Sequence, residues 1–291
     1  MKEQRRAKLL LSLSMIIFGT IGVFSRNIAV TSGELALYRA VLASVLIGGY
    51  FLISRQKIDF KAIKKELLLL LFSGMAMGVN WILLFEAYKH TTISAATLSY
   101  YFAPVIVTVV CPILFREKLG KKQLLCFIMS TLGLVLIIGF EGMGGGNHVL
   151  GILLGLGAAV FYATVILLNK FIKNVEGIHR TFLQFLAAIV ILVPYVLLTG
   201  DLQIGKLDGK GWVCLLAVGL IHTGITYCMY FSALKELKGQ EIAILSYLDP
   251  LVAVAISFFV LGEDMTIMQI LGGILILGFT LWNEKTENVD K

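Results

Sequence analysis

Apolar residues along this chain come in runs of about twenty, broken by short clusters of charge. Within a run they neither alternate nor leave a polar stripe. A helix rising 1.5 Å per residue needs about 20 apolar residues to cross a bilayer. The runs lie at roughly 9–26, 34–54, 67–88, 93–115, 122–140, 149–170, 180–199, 211–234, 241–261 and 265–283. They predict ten spanning helices, apolar all round as lipid-embedded helices are. A closed barrel is the other spanning solution, and it would alternate with period two.

Composition excludes a water-soluble fold. Of 291 residues, 58% are hydrophobic and only 15% charged, and the mean hydropathy is +0.89. A soluble domain carries about a quarter charged residues. The N-terminal MKEQRRAK followed by an apolar run resembles a signal peptide, but no small-x-small cleavage site closes it and nine more runs follow, so it reads as a retained first helix. Cys111, Cys126, Cys214 and Cys228 all lie inside apolar runs without CxxC or CxxH spacing. Neither a metal site nor a disulfide framework is indicated.

The net charge of +7 is topological rather than a nucleic-acid signal. With the N-terminus placed inside, 20 of the 25 Lys and Arg residues fall on the inner side and 4 (Arg26, Lys89, Lys206, Lys210) on the outer side, Arg39 lying within a span. The positive-inside rule then predicts both termini cytoplasmic, in a multi-pass plasma-membrane protein.

An internal repeat runs at an offset of 146 residues. FEAYKHTTISAATLSYYFAP (85–104) aligns with FSALKELKGQEIAILSYLDP (231–250), and Glu117 and Gln123 align with Glu263 and Gln269. Five helices per half is odd, so the halves must point in opposite directions. The turn FREKLGKK after the first proline helix is basic, whereas its partner LGEDMTIM is not. Loss of the basic residues on the far side marks an inverted repeat. The expected fold is therefore all-α integral membrane, with ten transmembrane helices in two inverted five-helix repeats. The repeats span 1–141 and 149–291, joined by a Gly-rich linker at 142–148 that opens GMGGG.

This pattern resembles the EamA-type ten-helix transporters of the drug/metabolite transporter superfamily, over nearly the whole chain. The most specific stretch is Leu248–Gly278, with Pro250, Gly262-Glu263, Gln269, Gly272 and Gly278. Leu37-Tyr38-Arg39, Pro104 and Glu117 carry the likeness in the first half. The resemblance implies transport by alternating access, with a cavity between the halves lined from helices 1, 3, 4, 6, 8 and 9. It leaves the cargo open among amino acids, other metabolites, nucleotide sugars, sugar phosphates and cations.

All four prolines lie in runs. Pro104 and Pro250 occupy matching positions, where interruption would free the carbonyls of Tyr100 and Ser246; Pro112 and Pro194 read as structural. Asp249, deep in the ninth run, costs about 2.5–3.5 kcal/mol to insert and should face a cavity or a partner. It is the leading candidate for cargo binding or proton coupling. His222 is either a hydrogen-bonded interior histidine or a ligand. Asn80, Trp81, Tyr100, Tyr101, Ser246 and Tyr247 are further substrate-site candidates, and the tyrosines could hold an aromatic cargo or a quaternary amine. Arg39, about five residues into its helix, could snorkel outward. It would join Glu34, Glu86 and Arg26 in a charge cluster, or with Glu86 form an outer gate.

No P-loop, HExxH or GxSxG occurs, so an enzyme is not expected and neither is a cofactor. Asp249 with His222 is the pair an intramembrane enzyme would need; a non-transporting receptor is the other class. Phosphorylated cargoes need cationic cavity groups, and only Arg39 sits within a span. A zwitterion such as an amino acid, or an amphiphilic cation, fits better. Metabolite export is the expected activity, with uptake of a quaternary amine or other cation as the alternative. The expected partners are a small-molecule substrate, the lipid bilayer and protons as coupling ion, with a homodimer as a candidate assembly; nucleic acid is not among them.

Overall fold

A charge-free segment in hydrocarbon must satisfy its own backbone amides and carbonyls, and a helix does this within one segment. The computed structural model describes residues 2–55, 60–115, 120–138, 146–175, 177–199, 202–234, 236–237 and 245–287. The described residues are nearly all helical and contain no strand. In chain order the helices are α1 (Lys2–Gly19), α2 (Ile21–Arg26), α3 (Ser32–Ile53), α4 (Phe60–His90), α5 (Ile93–Tyr100), α6 (Ala103–Phe115), α7 (Lys121–Ile138), α8 (Gly146–Phe171), α9 (Gly177–Thr199), α10 (Gly209–Leu216), α11 (Thr226–Leu234), α12 (Leu248–Phe259) and α13 (Ile267–Glu287). A π-helical segment, Ala217–Ile225, joins α10 to α11.

Local sequence sets several of the starts. Thr31 and Glu34 form a reciprocal capping box at the head of α3. Thr92 and Asp208 accept from the backbone amides of Ala95 and Gly211 and so cap α5 and α10.

Among the described residues, six stretches are long and apolar enough to cross a membrane: Glu3–Arg26, Ser32–Ile53, Ile63–His90, Asn147–Phe171, Gly177–Thr199 and Gly209–Ala233. Shorter apolar helices cover Ile93–Val107, Leu124–Leu136, Leu248–Phe259 and Ile267–Phe279. Large apolar side chains stand on the outside of the bundle; Ile53 and Leu198 are each 87% exposed. In water such a surface would drive association. Around this bundle it is the lipid-facing coat of a multi-pass membrane protein.

Helix association in lipid gains little from burying apolar surface, so small residues and hydrogen bonds carry it. The α4 helix packs on α8 and α9, α3 on α9 and the π-helical segment, α1 on α11 and α12, and α5 on α8 and α12, while α7 and α13 pair with each other. Asn80 Nδ2 donates to the Ala158 carbonyl at 2.6 Å, pinning α4 to α8. Gln184 Nε2 on α9 donates to Asn169 Oδ1 at 2.7 Å and to Ser73 Oγ at 2.5 Å. Such bonds contribute about 0.6 kcal/mol each on average.

Among the described residues the first run breaks at Thr20, and two proline-bearing runs expected to be continuous are broken as well. The helix after Thr92 stops at Tyr100 and resumes at Ala103. The second break falls at Tyr247, between a helical Leu245–Ser246 and α12. Pro104 and Pro250 were expected in helix interiors. Each instead stands in the first turn of the resumed helix, where the missing amide would have had no intrahelical acceptor. The interruption is a break between two helices rather than a lost bond within one. Pro194 does lie inside α9. Gly142 to Gly145 of the expected linker lie outside the described residues, while Gly146 to His148 already belong to α8.

Candidate functional site

The two breaks meet. Tyr101 of the first donates its hydroxyl to Asp249 Oδ2 at 2.5 Å, just beyond the second. Asp249 is the second residue of α12, where unpaired first-turn amides favour a negative charge. The α1 helix ends beside it. A Cβ on Gly19 would come within 2.6 Å of the Asp249 carbonyl oxygen, so only glycine permits this approach of backbones.

Aromatic rings surround the pair. Tyr100 meets Tyr101 edge-on at 5.8 Å and stacks on Tyr162 of α8 at 5.1 Å. Tyr227 of α11 packs edge-on against Phe18 at 5.2 Å and Phe185 at 5.4 Å, and Phe185 continues to Trp81 at 5.4 Å. Tyr100, Tyr101, Tyr227 and Asp249 are enclosed by the bundle yet keep part of their surface open. Their remaining open surface is turned into the bundle rather than onto its outer coat.

The π-helical segment forms a second wall. Its wider turn lets side chains reach the carbonyl five residues back: Thr223 donates to Val218 O at 2.7 Å, Thr226 to Ile221 O at 2.7 Å, and His222 Nδ1 lies 3.1 Å from Ala217 O. Gly219 and Gly224, also five apart, are the points where Leu42 and Leu46 of α3 press in. Such segments recur at functional sites. His222 is buried, with Nε2 2.8 Å from Thr20 Oγ1, in the gap between α1 and α2, and its ring 4.8 Å from Phe24. Both ring nitrogens have partners, so the histidine joins two irregular backbones.

Arg39 corrects the expectation from sequence. It neither snorkels outward nor joins Glu86. It turns inward and is only 5% exposed. Its Nε donates to Thr223 Oγ1 at 2.6 Å, and its guanidinium lies 4.4 Å from the Trp81 ring centre and 5.6 Å from that of Phe85. Glu86 bonds Ser32 at 2.5 Å and neighbours Lys89 and His90 on its own helix. Glu34 closes the head of α3 and accepts from the Gln203 amide at 2.9 Å. The expected charge cluster is thus four separate arrangements.

The fourth is centred on Arg26 and Glu263. Arg26 pairs with Glu263 and donates to the carbonyls of Tyr88 and Thr91. Glu263 also accepts from the Ile93 amide at 2.9 Å and from Ser257, whose hydroxyl meets Ser94 Oγ at 2.5 Å. This web ties the end of α2, the start of α5 and the end of α12 into one plug.

Among the other residues singled out from sequence, Trp81 supports Arg39, Asn80 is a structural pin, and Ser246 and Tyr247 stand half-buried at the second break. Sequence reasoning missed Thr223, Tyr162, Tyr227, Phe18 and Phe185. The spacing of Gly219 and Gly224 was the one available hint at the π-helical wall. The groups packed around these tyrosines also include Arg39 from α3 and the fully buried Phe185 from α9, beyond the set of helices the resemblance implied.

Comparison with known proteins follows this geometry. A family model described as the EamA-like transporter family matches residues 5–139 and again 149–283. The chain belongs to this family. It is 32% identical over 277 residues to the uncharacterized transporter YxxF of Bacillus subtilis, covering 94% of this chain and 88% of that one. An uncharacterized transporter of Archaeoglobus fulgidus is 26% identical across 94% of both chains. A probable amino-acid metabolite efflux pump of Salmonella typhimurium is 28% identical over 176 residues, 56% of this chain and 58% of that one. One solved crystal structure superposes over 98% of this chain and 99% of its own, with a TM-score of 0.67 and 16% identity, which speaks to fold alone. Membership makes the chain a non-enzymatic membrane transporter, consistent with the drug/metabolite transporter superfamily.

Proposed function

We propose that this EamA-like protein is a secondary exporter of small zwitterionic metabolites, amino acids or related amphiphilic compounds, working by alternating access in the plasma membrane. The observation that carries this reading is Asp249, held by Tyr101 where two broken helices meet inside an aromatic-lined space. A carboxylate so placed binds the amine of the cargo, a proton, or each in turn. The efflux pump of Salmonella supports the cargo class and the direction.

The architecture proposed is ten spanning helices, six long and four short, in two inverted halves with both termini cytoplasmic. The packing supports it. Exchanging α4, α8 and α9 for their counterparts 146 residues away maps contacts onto contacts: α4 on α8 becomes α11 on α1, and α4 on α9 becomes the π-helical segment on α3. The charge asymmetry described above supports the orientation. In this frame the Arg26–Glu263 plug lies on the outer side and closes the central space from the exterior.

Flux in proteoliposomes tests the reading. Preloaded vesicles should release radiolabelled amino acids faster than protein-free vesicles, and an imposed proton gradient should change the rate. Binding without flux would mark a receptor. Flux of tetraalkylammonium ions alone would mark a cation carrier, for which the ring of tyrosines is the supporting feature.

A further inference from the structure

Among the described residues Arg39 is the one cation buried in the bundle, and none of their carboxylates pairs with it. Its neighbours are neutral: Thr223 below Nε, and the faces of Trp81 and Phe85 beneath the guanidinium plane. Thr223 spends its proton on the Val218 carbonyl, so it turns lone pairs toward the arginine and fixes the orientation of the guanidinium. Among the described residues the terminal Nη groups meet no acceptor. A charge buried without a counter-ion is strongly unfavourable, and at membrane depth such a group marks a substrate or ion pathway. Asp249 does not quench it. Its own hydrogen bond goes to Tyr101, yet both charges act on Tyr88, Tyr100 and Tyr227. Two opposite charges thus flank one group of tyrosines without pairing.

We propose that Arg39 is the carboxylate-binding group of the central site, receiving the carboxylate of the cargo on its free Nη donors while Trp81 and Phe85 support the guanidinium. This deepens the transport reading and rests on it. A planar guanidinium with two free donors matches a carboxylate bidentately, and a cargo that also carries an amine has Asp249 across the tyrosines. The site then selects amphoteric molecules over plain amines, because a cargo lacking the carboxylate leaves the arginine bare.

The test is binding to the purified full-length protein carrying Trp212→Phe and Trp282→Phe, so that Trp81 beneath the guanidinium is the only tryptophan. Its fluorescence is titrated with leucine, phenylalanine, lysine and glutamate and with their α-carboxamides. At least one amino acid should bind about ten- to a hundredfold more tightly than its carboxamide, the range a charge-assisted hydrogen bond carries. In Arg39→Gln the pair should become equal, and Arg39→Lys should restore part of the difference. Equal binding of acid and amide by the parent protein overturns the proposal, and that result needs no arginine variant to fold. Response to carboxamides alone also overturns it, but leaves transport standing with a cationic cargo. Carboxylate-selective binding with no flux in vesicles upholds the subsite and overturns the transport reading.

Discussion

Two arginines, Arg26 and Arg39, divide the molecule into two kinds of polar region. Arg26 pairs with Glu263 and donates to two carbonyls, and Glu263 is further met by Ser257 and the Ile93 amide. Little valence is left over, as expected of a device that holds helices together. Arg39 has one hydrogen bond and two ring faces. Asp249 has a single tyrosine. In a medium that punishes unmet polarity, saturation marks structure and deficit marks a place for something that comes and goes.

The comparison can be broken experimentally. The largest effect on transport should come from Asp249→Asn. It is nearly isosteric and should leave the thermal midpoint almost unchanged, while amino-acid flux falls at least about tenfold, equivalent to 1.4 kcal/mol. Its response to an imposed proton gradient should flatten as well. Normal flux in this variant, alongside loss of transport in Tyr101→Ala, would make the charge structural and leave the cargo held by stacking.

Glu263→Ala should do the reverse. It strips the plug of its acceptor and strands Arg26, costing about 2–3 kcal/mol of stability. Denaturation in detergent reads the loss, and flux per folded molecule should change far less than for Asp249→Asn. A severe flux defect in a stable protein would move the plug into the cargo pathway. Tyr101→Phe removes one donor from the carboxylate and should alter flux a few-fold, in keeping with about 1 kcal/mol for a single hydrogen bond. The smallest change should be Ser257→Ala, about 1 kcal/mol of stability, with flux retained.

The same contrast explains what the sequence could tell. Membrane-spanning segments were legible because hydrocarbon tolerates so few charges that Arg26, Lys89 and Lys206 stand out as boundaries. Pro104 and Pro250 were legible as interruptions, but whether a proline bends one helix or begins another depends on neighbours no linear pattern reveals. The direction of Arg39 was not legible. Its helix is apolar on every side, because protein interior and lipid are equally apolar. Depth can therefore be counted along the chain while the facing direction cannot. The π-helical wall was hidden for a related reason. Its i→i+5 pairing leaves no hydrophobic period, and Thr223 looked like any other small polar residue in a span. Tyr162 and Tyr227 were passed over because tyrosine in a membrane protein more often anchors at the headgroups.

The π-helical segment also sets an arithmetic on the chain. An α-helix advances about 100° per residue, and a turn closed five residues back instead of four accommodates surplus chain without uncoupling the flanking helices. Remove one residue between Ala217 and Ile225 and the backbone could relax into ordinary α-turns with the flanking helices facing as before, while the residues inside the segment change their positions. His222 and Thr223, both inside the segment, would shift relative to Thr20 and Arg39. A one-residue deletion here would thus rewire the site while leaving a perfectly good helix. Helix content by circular dichroism would register nothing, and substrate preference would register all of it.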